Sequence, residues 1–161
     1  MVKSFQDKCR RLAVNIIKKS FPELKNKRIL VFTVPFRKAY SGMIFWLFWP
    51  LPQLIFINKK RNKESIQYLN GLLCHEICHL VLIERRGFAK SVFRGIFYFI
   101  IPKLRRLIED EVNRFAIQKG YSKEIHFFTK KVEKKKTSAG IQRFYMNSED
   151  IKNYAKSVGK W

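Results

Sequence analysis

His75, Glu76 and His79 stand together in the segment Leu73-Cys74-His75-Glu76-Ile77-Cys78-His79-Leu80, which reads H-E-x-x-H. Two imidazoles and a carboxylate at this spacing have a defined chemical use if the segment is helical. Residues four apart on an α-helix differ by about 40° in direction, so both rings lean toward one point. Such a pair supplies two ligands of a tetrahedral zinc ion. Glu76, next to the first ring, is not placed to be the third. It is near enough to take a proton from a water that zinc has acidified and to pass it to a leaving amine, which is the chemistry of peptide hydrolysis. The chain has three histidines in all, and two of them fall in this motif.

A third ligand must come from elsewhere. The run Leu107-Ile108-Glu109-Asp110-Glu111-Val112-Asn113-Arg114-Phe115-Ala116 places Glu109 and Asn113 four apart on one helical face. A carboxylate at 109 completes the site, and an amide at 113 can hydrogen-bond a ligating histidine from behind. Glu111 points about 200° away from Glu109, so only one of the two faces the metal. The apolar stripe of Leu104, Ile108, Val112 and Phe115 does not choose between them, and His126 is a third candidate beyond the stop at Gly120.

At these residues the sequence resembles the gluzincin metallopeptidases, whose H-E-x-x-H is followed some tens of residues later by a helix reading E-x-x-[AV]-[DN]-x-[FA]-A. The stretch EDEVNRFAIQKG is similar to the third-ligand helix of the HtpX and CAAX-prenyl-protease group. It is equally similar to that of the ImmA/IrrE group, where asparagine often takes the fifth place. In size and in the order helix, sheet, helix, helix, the soluble minigluzincins match best. The resemblance covers about residues 28 to 120. It implies one zinc ion on His75, His79 and Glu109, Glu76 as general base, and Asn113 behind a ligand. It also implies a peptide substrate added as a strand to a sheet edge beside the active-site helix, with residues 53–58 or 43–48 as that edge. Val112 and Asn113 replace a commoner alanine and aspartate, and the 29 residues between His79 and Glu109 include an apolar, basic insert.

Few elements are needed to position these residues. Residues 4–19 carry Phe5, Cys9, Leu12, Ile16 and Ile17 at helical spacing, and Phe21-Pro22 ends that helix. The run 28–34, RILVFTV, reads as a strand closed by Pro35, and Ser41-Gly42 reads as a turn. Residues 43–48 and 53–58 read as strands around Pro50 and Pro52, at a hairpin tip or sheet edge, because proline cannot donate to a central ladder. Ser65 is the expected N-cap of a helix over 65–84, with Ile66, Leu69, Leu73, Ile77, Leu80 and Ile83 on its apolar face and Gly87 as its stop. Residues 90–101 fit a helix or a loop. Pro102 suits the first turn of a helix reaching 119, with Gly120 as its cap. A helix over 122–136, a break at 137–140, an extended piece at 141–146 and a helix over 148–158 follow. The expectation is a zincin-like α+β fold: an N-terminal helix, a small mainly antiparallel sheet, then the active-site and third-ligand helices. It forms a single domain, 1–161, with 121–161 a helical C-terminal extension.

Length and composition agree with one domain: 161 residues, 47% of them hydrophobic, suffice for a core without disulfide staples. Cys9, Cys74 and Cys78 are odd in number and read as small hydrophobes in a reduced, cytoplasmic protein. The N-terminus reads as an amphipathic helix rather than a secretory signal. The apolar stretches 44–57 and 95–101 fall short of the about 20 residues a bilayer span takes, although either is suited to touch a membrane surface. Thirty-four basic residues against 12 acidic leave a net charge of +22, a field that attracts phosphate backbones and anionic headgroups. Two alternatives to a soluble endopeptidase follow. One is a basic nucleic-acid-associated regulatory protein of ImmA/IrrE type that retains the zinc site. The other is a protease held peripherally at the membrane surface through residues 90–106. Tyr98, Tyr121, Tyr145 and His126 are candidates for stabilising an oxyanion. Oligomeric state is not legible.

Overall fold

In a computed structural model, residues 4–36, 41–45, 51–136 and 146–161 are described. Ser4 accepts the Asp7 N–H at 3.2 Å and so caps helix α1 (Phe5–Ser20), whose inner face buries Cys9, Ala13 and Ile16. Fully buried Phe21 ends it, as the sequence leads one to expect.

Strands β1 (Ile29–Val34), β2 (Gly42–Phe45) and β3 (Gln53–Asn58) form a sheet in the order β1-β3-β2. β1 runs parallel to β3 with Ile29 opposite Gln53, and β2 runs antiparallel to it with Gly42 opposite Ile57. Two expectations are corrected here. The sheet is mixed rather than mainly antiparallel, and residues 53–58 are its centre rather than an edge. Pro52 stands just ahead of β3 and removes no ladder bond, while fully buried Ile55 and Ile57 hold that strand against the core. β2 is thus the edge beside α2, with no strand beyond it among the described residues; 46–48, expected to extend it, lie outside them.

Helix α2 (Ile66–Arg86) is the axis of the fold. Ser65 Oγ accepts the Tyr68 N–H at 3.2 Å, a cap whose loss costs about 1 kcal/mol. The helix is apolar almost all round, and α1, α4 (Pro102–Gln118), α5 (Ser122–Lys136) and β2 pack about it. Among the described residues it alone is long and apolar enough to cross a bilayer, yet 72% of that window is buried inside the protein. Gly71 marks where α5 crosses most closely: an added Cβ would strike the Glu124 carbonyl and approach Phe128 Cβ to 2.8 Å. Cys74 and Cys78, like Cys9, are free thiols fully enclosed in the core.

Gly87, at φ +79°, turns the chain into α3 (Phe88–Ile100), so of residues 90–101 all but the extended Ile101 are helical. Ser91 Oγ donates to the Ile83 carbonyl at 3.0 Å and pins α3 to the end of α2. Pro102 opens α4 and Gly120, at φ +91°, closes it, as their types predict. Asn147 and Asp150 form a reciprocal capping box on α6 (Ser148–Ser157), which buries Ile151 and Ala155 against α4 and α5. The architecture is α+β. The expected break at 137–140 and most of the extended piece at 141–146 lie outside the described residues.

Candidate metal centre

One turn of α2 separates His75 from His79, and α4 brings Glu109 between them. His75 Nε2 lies 3.0 Å and His79 Nε2 3.7 Å from Glu109 Oε2, and the two imidazole nitrogens are 3.2 Å apart. Ligands of a tetrahedral ion with bonds of about 2.0 Å stand about 3.3 Å apart. The three donor atoms form a triangle of that size, so these residues are close enough to hold one metal ion.

Behind the triangle two of the three donors, His75 and Glu109, are held by further side chains. Asn113 Oδ1 is 3.0 Å from His75 Nδ1. In the neutral ring this amide oxygen holds the proton on Nδ1 and leaves the Nε2 lone pair facing the centre. The Tyr98 hydroxyl, carried by α3, donates to Glu109 Oε1, which leaves Oε2 to face both imidazoles. The His75 and His79 rings meet edge to face at 82°, and Phe128 of α5 closes the side of His75 with ring centroids 5.9 Å apart.

The choice between the two glutamates that periodicity left open is decided by the arginines on neighbouring helices. Glu111 pairs with Arg86 and, at 3.3 Å, with Arg94, whereas Glu109 is 3% exposed and faces the histidines. His126 is elsewhere on α5, packed edge-on against Trp161 at 5.1 Å. Tyr121 shares a hydrogen bond with Ser20 at 3.2 Å, away from the centre, and Tyr145 lies outside the described residues.

Glu76 is 6% exposed, and no described residue donates a hydrogen bond to its carboxylate. Burial pushes its pKa up against the opposing pull of His75 and His79. The start of β2 lies against it: a Cβ on Gly42 would come within 2.6 Å of Glu76 Oε1 and 3.1 Å of Leu72 Cδ1. Glycine at 42 therefore lets the β2 backbone approach the Glu76 carboxylate without a clash. Ser41 Oγ, 3.1 Å from the Tyr68 hydroxyl, anchors that strand end to α2. Tyr98, a candidate from sequence for stabilising an oxyanion, instead bonds Glu109, and Gly42, read from sequence only as part of a turn, begins β2 against Glu76. The spacing of Phe93, Ile96, Phe97 and Ile100 was the signal that makes 88–100 a helix and so gives Tyr98 a fixed side.

Burial disfavours the His75 imidazolium, but the hydrogen bond and charge of Glu109 outweigh it and raise the pKa from 6.5 to about 9. Burial likewise disfavours the Glu109 carboxylate, and the two histidines more than reverse that, holding it well below the usual range. The stabilisation from the His75 proton is thus complete below pH 6.5 and lost as pH rises through about 9 in the metal-free protein. A metal must displace that proton, so its apparent affinity should fall about tenfold per pH unit below this value. Calorimetric metal titrations at pH 7.5, in buffers of different ionisation enthalpy, should show about one proton released per ion. Zero release would contradict the arrangement.

Fold and site together define an α+β protein with a buried cluster of two histidines and one carboxylate at metal-binding separation. The chain matches no protein-family model, no curated protein and no solved structure.

Proposed function

We propose that the chain is a zinc-dependent endopeptidase of gluzincin type. The observation that carries this reading is the His75–His79–Glu109 triangle with an unshared carboxylate, Glu76, one residue from the first ligand and beneath an edge strand. Two imidazoles and one carboxylate suit zinc better than calcium or magnesium, which prefer all-oxygen cages. Three protein ligands leave the fourth tetrahedral position for substrate or water, the pattern of catalytic rather than structural sites. Bound there, zinc would supply Lewis acidity for the carbonyl and make water nucleophilic near neutral pH.

The residues of the chain do the rest. A peptide aligned along β2 gains backbone hydrogen bonds from that edge and lies across Glu76. Glu76 takes the proton of the attacking water and returns it to the departing amine; its upward-shifted pKa suits both halves of that transfer. Asn113 and Tyr98 hold His75 and Glu109 in register. Purified protein is expected to carry one equivalent of zinc and to cleave an unfolded protein substrate in a manner abolished by chelator and restored by zinc. Protein that binds zinc in this ratio yet leaves every unfolded substrate intact would count against the peptidase reading while leaving the metal centre standing.

A further inference from the structure

Helix α3 is turned the wrong way round for a helix that serves only a protein core. Its inner side carries Ser91 and Tyr98, whose hydroxyls bond the end of α2 and Glu109. Its outer side presents Val92, Phe93, Ile96 and Ile100, with Phe93 62%, Ile96 56% and Ile100 66% exposed. At 100° per residue these four side chains span an arc of about 100° opposite the buried side. Ile101, which follows α3 directly, and Leu107 on α4 are exposed as well. Scattered exposed apolar residues are ordinary, but a contiguous face of this kind marks an interaction site.

The charge around the face identifies its occupant. From Arg85 to Ile108 there are seven cations and no acidic residue. Arg86, Lys90 and Arg94 surround Phe93 in an open hollow. Glu111, which pairs with Arg86 and Arg94, is one carboxylate against these three cations and leaves a local excess of two positive charges. Lys103 and Arg106 stand exposed on α4, which follows α3 directly. An apolar centre flanked by cations matches the boundary between acyl chains and anionic headgroups. A nucleic acid would engage the same cations, but it would have no complement for Ile96 and Ile100.

We propose that α3 is an interfacial helix that docks the protein on an anionic phospholipid bilayer, with Phe93, Ile96 and Ile100 entering the acyl boundary and Lys90 and Arg94 receiving headgroup phosphates. The inference stands independently of the peptidase reading. It has one consequence for the metal centre: Tyr98 is on the inner side of the same helix, so docking places Glu109 about one helix diameter, roughly 10 Å, from the headgroups.

The test is flotation of the purified full chain with vesicles of phosphatidylcholine containing about one third phosphatidylglycerol, against pure phosphatidylcholine. Binding to the anionic vesicles only, weakened by salt, is the expected result. Phe93→Ser/Ile96→Ser/Ile100→Ser should lower partitioning at least tenfold, while Val14→Ser/Ile66→Ser, exposed apolar residues elsewhere, should leave it unchanged. As a check that does not depend on removing the face, Phe93→Trp should show blue-shifted emission on anionic vesicles and none on neutral ones. The proposal is overturned if the triple variant floats as the unaltered protein does, or if the same face instead holds two copies together in lipid-free solution. It is also overturned if duplex DNA, and not vesicles, is the ligand lost on mutation.

Discussion

Glu76→Gln is expected to lower peptide hydrolysis by about 10²- to 10⁴-fold while leaving zinc content unchanged. The amide is nearly isosteric, so it fits beneath Gly42 as the carboxylate does, and neither imidazole nor Glu109 loses a partner. What it loses is the ability to accept a proton. Stability should move the other way. Because burial raises the Glu76 pKa, its charge disfavours the folded state above that pKa, and removing the charge should leave the melting temperature equal or higher. Lost activity with retained or increased stability is the signature of a group kept for chemistry. Steady-state kinetics, metal analysis and a thermal melt on one preparation decide the matter. A variant hydrolysing at the unaltered rate would remove Glu76 from its role.

Glu109→Ala should release the metal, and Glu111→Ala should not. With ligand in thousandfold excess over the dissociation constant, binding to the folded state alone adds about 4 kcal/mol, which for a chain of this size is roughly 10 °C of melting temperature. That increment should vanish in Glu109→Ala, and equally in His79→Ala, so that chelator no longer changes their melts. Glu111→Ala leaves Arg86 and Arg94 without their shared carboxylate and should soften the contact between α3 and α4, with metal still bound. If chelator lowers the melt of Glu109→Ala as much as that of the unaltered protein, or if Glu111→Ala is the variant that loses the metal, the ligand assignment is wrong.

What the sequence disclosed follows from how local each cause is. Ser65, the apolar spacing of α2 and the i, i+4 histidines act within one helix, and the helix formed where they place it. Pro102 and Gly120 bracket α4 for equally local reasons. The pairing of β1 with β3 depends on contacts between residues far apart in the chain, and no turn signal encodes it; an alternation pattern reports a strand but not its neighbours. Periodicity did not separate Glu109 from Glu111; the resemblance pointed to Glu109, and the partners opposite agree, two histidines for Glu109 and two arginines from other elements for Glu111. α3 was ambiguous because its apolar residues face outward, so an apolar run there did not mean a buried one.

The enclosed thiols of Cys74 and Cys78 have a consequence for how the protein is made. In the folded helix they are held in the core while His75 and His79 face α4. In an unfolded chain the same stretch reads C-H-x-x-C-H, two soft thiols and two imidazoles free to converge on a single ion. Synthesis at about 5–20 residues per second leaves roughly 1.5–6 s between His79 and Glu109, during which that alternative has no rival. Metal captured by the unfolded chain subtracts from the stabilisation it gives the native one. Refolding in chelator followed by addition of zinc should therefore yield more native protein than refolding with zinc present from the start, and a softer ion such as copper(I) should widen the gap.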